Sequence, residues 1–242
     1  MARLLDQDFA RLETFLAGYT LAECLTSNSR KQIIKKGHKY CLTALQLWAI
    51  ADQLAKTEVL IISSTTLKSA SPQFDQLSEC FSDITSSFFS AIHGLYKPAN
   101  MSLRSAIETF TRSLAGLYSA EAASTTSIYR LFEVASGCEP FSGLAKPHYD
   151  LLHQQYSELC KYTHSVTLAH MVRSHAMSNF PKQEIEPMRV WSRHYEATIR
   201  SIASILLYAN KALYLRASPQ SQDVYEEVIQ KEVRLFVLGA PS

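Results

Sequence analysis

Two apolar stripes follow one another between Phe74 and Tyr118, and they commit this part of the chain to helices. Phe74, Leu77, Phe81, Ile84, Phe88, Ala91 and Leu95 recur at alternating spacings of three and four. Residues so spaced are neighbours on one face of a helix. Beyond Lys97-Pro98-Ala99-Asn100 a second stripe follows in Met101, Ile107, Phe110, Leu114 and Leu117. The spacing predicts two long helices packed as a pair, with a corner or kink at Pro98. Proline has no amide hydrogen and fits the first turn of a new helix.

The rest of the chain reads as further helices around this pair. Leu4, Leu5, Phe9, Leu12, Phe15, Leu16 and Tyr19 predict an amphipathic helix of about 20 residues, with Asp6, Asp8 and Glu13 suited to its N-terminal dipole. Thr26 to Ser29 breaks that pattern. A basic segment from Arg30 to Lys39 follows, and a second helix is predicted over about Tyr40–Ala55. Val59 to Ile62 is short and β-branched, so periodicity leaves helix and strand both open. Ser63 to Pro72 reads as a loop and as the boundary of an N-terminal part. After the central pair, helices are predicted through Tyr129–Phe132, from Pro147 to Cys160, from Pro187 to Leu213, and through Tyr225–Ile229. Ser174 to Glu186, which contains Pro181, reads as a polar loop. The expected fold is an all-α bundle of about seven or eight helices. It forms a single domain over 1–242, with 73–236 as the main bundle and 1–62 able to pack on it or stand apart.

Bulk properties narrow the function classes. Twenty-four Lys and Arg against 22 Asp and Glu leave a formal charge of +2, so a polyanionic partner would need a local patch. The longest stretch without Asp, Glu, Lys or Arg is the 13 residues Ile84–Tyr96, well under the ~20 a membrane span requires. Asp6 and Asp8 stand where a signal peptide would be apolar. Cys24, Cys41, Cys80, Cys138 and Cys160 are widely spaced and form no Cys-x-x-Cys, which fits free thiols in a reducing cytoplasm. The expectation is therefore a cytoplasmic protein with no membrane partner.

Phosphate-loop, dinucleotide and zinc-protease motifs are absent, as are the Glu-x-x-His repeats of di-iron bundles. No cofactor is expected. His148 and His153 are five apart, as are His170 and His175, which sends the rings to different helix faces and argues against a metal site. The basic segment, with Arg30, Lys31, Lys35, Lys36 and Lys39, is the concentrated positive patch. It could grip a phosphate backbone by counterion release, or it could simply be a solvated helix end. Arg189-Val190-Trp191-Ser192-Arg193-His194 has the Arg-x4-His spacing of helical ribonucleases of the HEPN class. There histidine would serve as general acid–base and arginine would hold the scissile phosphate. The plainer reading is a cationic, solvated first turn of the last long helix.

Two further segments carry a family resemblance. Tyr96-Lys97-Pro98-Ala99-Asn100-Met101-Ser102-Leu103-Arg104-Ser105-Ala106-Ile107-Glu108 and Tyr156-Ser157-Glu158-Leu159-Cys160-Lys161-Tyr162-Thr163-His164 resemble a group of prokaryotic helical proteins. In these, Leu-Arg-Ser-x-x-Glu is followed some fifty residues later by Leu-Ser-x-Tyr-x-His. The group is similar in topology to HEPN domains, many of which serve in phage defence or toxin–antitoxin systems. The resemblance spans about residues 74–170 and implies that Arg104, Glu108 and His164 form a polar cluster between two core helices. Where an active HEPN ribonuclease carries arginine before this histidine, the chain has Ser157, Glu158 or Leu159. A buried structural network that specifies helix register is the alternative to catalysis. Two functions remain: a non-catalytic helical protein working through protein contact, self-association or nucleic acid, and a metal-independent ribonuclease built on His164 or on Arg189 and His194.

Overall fold

The computed structural model describes residues 25–57, 59–163 and 184–239, together with positions 14, 18, 20 and 21. The expected N-terminal helix, His164, and the polar segment as far as residue 183 lie outside the described residues. Ten helices and one small hairpin are present among those described, eight of the helices having seven or more residues. The all-α expectation holds.

Helix α1 (Asn28–Thr57) is longer than its apolar pattern suggested. Its first turns are the basic segment itself, because Lys, Arg and Gln are good helix formers and Ile33 and Ile34 pack against the core. Gly37 sits where α1 presses on two rings. A Cβ there would lie 3.1 Å from Phe88 Cε2 and 3.2 Å from Trp191 Cη2.

After α1, strands β1 (Leu60–Ile62) and β2 (Thr65–Leu67) pair antiparallel. The second strand lies inside the stretch expected to be a loop. Ser63, at φ 53°, turns the chain between them. The hairpin is pinned from outside. Ser63 N–H donates to Ala209 O (3.0 Å), Asn210 Nδ2 to Ile61 O (2.9 Å) and the Tyr118 hydroxyl to Ile62 O (2.6 Å).

The central pair is α2 (Pro72–Ile92) and α3 (Tyr96–Ala115), which form the most extensive helix–helix contact. Ser71 caps α2 by accepting from Phe74 N, and Pro72 occupies its first position. The break falls at His93-Gly94-Leu95, a few residues before the predicted corner. Gly94 takes φ 74°, its N–H reaches Ala91 O (3.0 Å), and Leu95 N–H reaches Ser90 O (2.9 Å). That pairing is a Schellman stop, which needs a left-handed residue. Pro98 lies within the first turn of α3, where it breaks nothing. Most of both stripes is buried, but Met101 is 45% exposed and faces outward.

Short helices α4 (Ala120–Ser124) and α5 (Ile128–Ala135) and two 3-10 turns lead into α6 (Lys146–Thr163). Helix α7 (Ile185–Ala209) is the axis of the bundle and packs on α1, α2, α3 and α6. From Thr198 to Leu207 it is buried all round apart from half-buried Arg200, as a helix enclosed by neighbours must be. The Trp191 indole N–H donates to Ser87 Oγ (3.0 Å) and the Tyr195 hydroxyl to Ile84 O (3.2 Å), fixing α7 against α2. Helices α8 (Ala212–Leu215), α9 (Pro219–Glu226) and α10 (Lys231–Leu238) close the described chain. The core is continuous and takes in Tyr40, Leu47, Leu54, Leu60 and Ile62 with residues from all the later long helices. No helix among the described residues is long and apolar enough to cross a membrane.

Candidate functional site: a cationic cleft between α1 and α7

Lys36 of α1 pairs with Glu196 of α7, and four residues further along both helices the Tyr40 hydroxyl accepts from Arg200 Nη2. The two helices therefore run parallel, with both N-termini at one end of the bundle. The partial positive ends of both dipoles lie there.

At that end opens a cleft of about 280 Å³, lined by Ile33 and Lys36 from α1 and by Glu186, Arg189, Ser192, Arg193 and Glu196 from α7. Glu196, 8% exposed, forms its floor. One oxygen takes Lys36 Nζ at 2.6 Å and the other accepts from Ser192 Oγ at 2.8 Å. Arg189 pairs with Glu186 one turn earlier. Arg193 is exposed and makes no ion pair among the described residues. Three cations and two carboxylates leave the lining net positive, and the uncommitted charge sits on Arg193.

The basic segment divides by helix face. Lys36 and Lys39 are engaged, the latter with Glu227 at 3.2 Å, and Arg30 donates to Thr26 Oγ1. Lys31 and Lys35, one turn apart, are exposed and unpaired among the described residues. Lys31 and Lys35 lie outside the cleft lining, about 140° and 100° round the axis of α1 from Lys36, and form a second cationic face beside it. The sequence marked these α1 cations. It did not mark Ser192, Arg193 or Glu196 as partners, because nothing local says that residues 33–36 and 186–196 meet.

Arg189 and His194 do not converge. Five residues apart on a helix is about 140° round the axis. Arg189 turns to the cleft, while His194 Nδ1 lies 2.7 Å from Gln155 Oε1 on α6 with its ring edge-on to Tyr162 at 5.9 Å.

Arg104 and the segment ending at His164 are brought together as far as the described residues go, but with different bonding from an Arg–Glu–His triad. Arg104 Nε meets Cys160 Sγ at 3.3 Å, its Nη2 donates to the Tyr156 hydroxyl, and its guanidinium carbon lies 4.8 Å from the Tyr156 ring centre. Burial pushes the Tyr156 phenol well above the tyrosine range even against the pull of Arg104, so it stays a neutral partner. Glu108 contributes to the field at Arg104, but its carboxylate bonds Arg112 at 3.4 Å. Arg112 also donates to Thr125 O (2.6 Å) and Ala122 O (3.3 Å), tying α3 to the end of α4.

His148 and His153 occupy different surroundings. His148 is buried beside Tyr208, and His153 is exposed and stacked on Phe132 at 4.5 Å. Among the described residues no group of three or more His, Cys, Asp or Glu could hold a metal ion.

Burial holds both His148 and His194 below the ordinary histidine value of 6.5. The unfolded chain therefore takes up protons at a pH where the folded chain does not. This contribution to stability is complete above about pH 6.5 and declines as the pH falls through the lowered folded values. Unfolding free energy is expected to drop between pH 7 and pH 5, with a shallower slope in a His148→Gln, His194→Gln variant. An identical slope in both proteins would contradict this.

Comparison of the chain with protein-family models, with curated proteins and with solved structures finds no match.

Proposed function

We propose that the protein is a non-catalytic, intracellular helical bundle that works by contact with nucleic acid, in the manner of a HEPN-like component of a prokaryotic defence or mobile-element system. The observation that carries the reading is the convergence of Lys36, Arg189 and Arg193 on one open cleft from segments some 150 residues apart, with exposed Lys31 and Lys35 on another face of α1. Cations so placed attract phosphate by releasing its counterions. The packing of the Arg104 helix on the Tyr156–Cys160 helix supports the HEPN-like part of the proposal. Against catalysis stand two points. No histidine among the described residues lines the cleft, and His194 is spent on Gln155. A general acid–base must reach the proton it moves.

The test incubates wild-type protein with end-labelled RNA and follows both complex formation and strand length. Reversible binding with intact RNA is expected. Cleavage that disappears in a folded His164→Ala protein would replace this reading with the ribonuclease one.

A further inference from the structure

We infer that the cleft takes the phosphodiester backbone of a nucleic-acid duplex rather than the bases of a single strand; this rests on the nucleic-acid reading above. Among the described residues the lining holds one apolar side chain, one hydroxyl and five charged groups, with no aromatic ring and no side-chain amide. Single-strand sites gain much of their affinity from bases stacked on rings, about 1–3 kcal/mol per base, and no ring among the described lining residues offers such a platform. Trp191, next to the lining residue Ser192, is 1% exposed and belongs to the core.

What the cleft offers is charge on rigid supports. Arg189 and Arg193 in the lining are four residues apart, about 6 Å along a helix, and Lys31 with Lys35 repeat that spacing on the exposed face of α1 beside the cleft. That suits successive phosphates of a strand. The two rows stand on packed helices and cannot close round a floppy ligand. A single strand would lose conformational freedom on these rows with no stacking in return, whereas a duplex arrives already ordered.

Glu196 sharpens the site further. It holds Lys36 from beneath and leaves Arg193 as the cation able to meet a phosphate without first breaking an ion pair. Contacts of this kind position a protein on a duplex without reading its sequence.

The experiment measures fluorescence anisotropy with an RNA duplex, with its two separated strands, and with two duplexes of unrelated sequence, using wild type and Arg193→Ala. Arg193 is exposed and unpaired among the described residues, so the thermal midpoint of the variant serves as the check on folding. Duplex binding about tenfold or more tighter than either strand is expected, with similar affinities across the duplexes and a similar loss in the variant on each. Strands that bind as tightly as the duplex, or a strong preference for one duplex sequence, would overturn the inference while leaving the nucleic-acid function standing. Absence of binding to duplex and strands alike would overturn both.

Discussion

Replacing Phe110 or Phe81 with alanine is expected to cost about 3–5 kcal/mol each, the usual range for removing an enclosed aromatic ring. Phe110 is fully buried and meets Phe141 edge-on at 6.3 Å, and Phe81 is 2% exposed and packs against Trp48 at 5.5 Å. Both rings belong to the continuous core and are enclosed by residues of several helices. Folded domains hold only about 5–15 kcal/mol in reserve, so either variant should lose a large part of it. Denaturant unfolding measures this directly. A loss under about 1 kcal/mol would mean that the α2–α3 pair is not the centre of the core.

The second large effect is expected at Arg104. Its partners are a neutral phenol and a thiol, not a carboxylate, so its removal leaves no buried anion behind. Arg104→Ala should cost about 1–3 kcal/mol, the penalty for orphaning a buried polar partner, here the 7%-exposed Tyr156. Glu108→Gln should cost about 1 kcal/mol or less, because the Glu108–Arg112 pair is partly solvated. A Glu108→Gln loss larger than that of Arg104→Ala would show that the carboxylate, not the phenol, holds Arg104. Wherever His164 lies, its stability cost beside these two reports whether it shares the network.

The central pair was legible because seven apolar residues in strict spacing admit one reading. The break between its helices was misplaced for a physical reason. Proline looks like a breaker in sequence, yet it costs nothing in a first turn, and the actual stop is the left-handed Gly94. Helix α1 was read too short because Gly37 and the surrounding charge hide the continuity of Ile33, Tyr40 and Ala44. Gly37 there accommodates two rings instead of ending the helix. The first strand of the hairpin stays open between helix and strand in the sequence, and the second is missed, because strands of three residues carry no periodicity and their hold comes from Asn210 and Tyr118, far away in the chain.

The same division applies to the cleft. A run of lysines is visible as composition. Which of them are free is not, since Lys36 and Lys39 are matched by carboxylates 160 and 188 positions later. Arg104 does pack on the helix that leads toward His164, but its hydrogen bonds among the described residues go to Tyr156 and Cys160. Tyrosine and cysteine are read as core residues, and only packing shows them turned toward a guanidinium.

The salt dependence of duplex binding tests the account most directly. If Lys31, Lys35 and Arg193 are the cations that meet phosphates, log K should fall against log salt with a slope of about −2.7. Arg193→Ala should make that slope shallower by about 0.9, and Lys31→Ala with Lys35→Ala by about 1.8. A wild-type slope near zero, or one that these substitutions leave unchanged, would contradict the assignment of the α1–α7 cleft as the nucleic-acid contact.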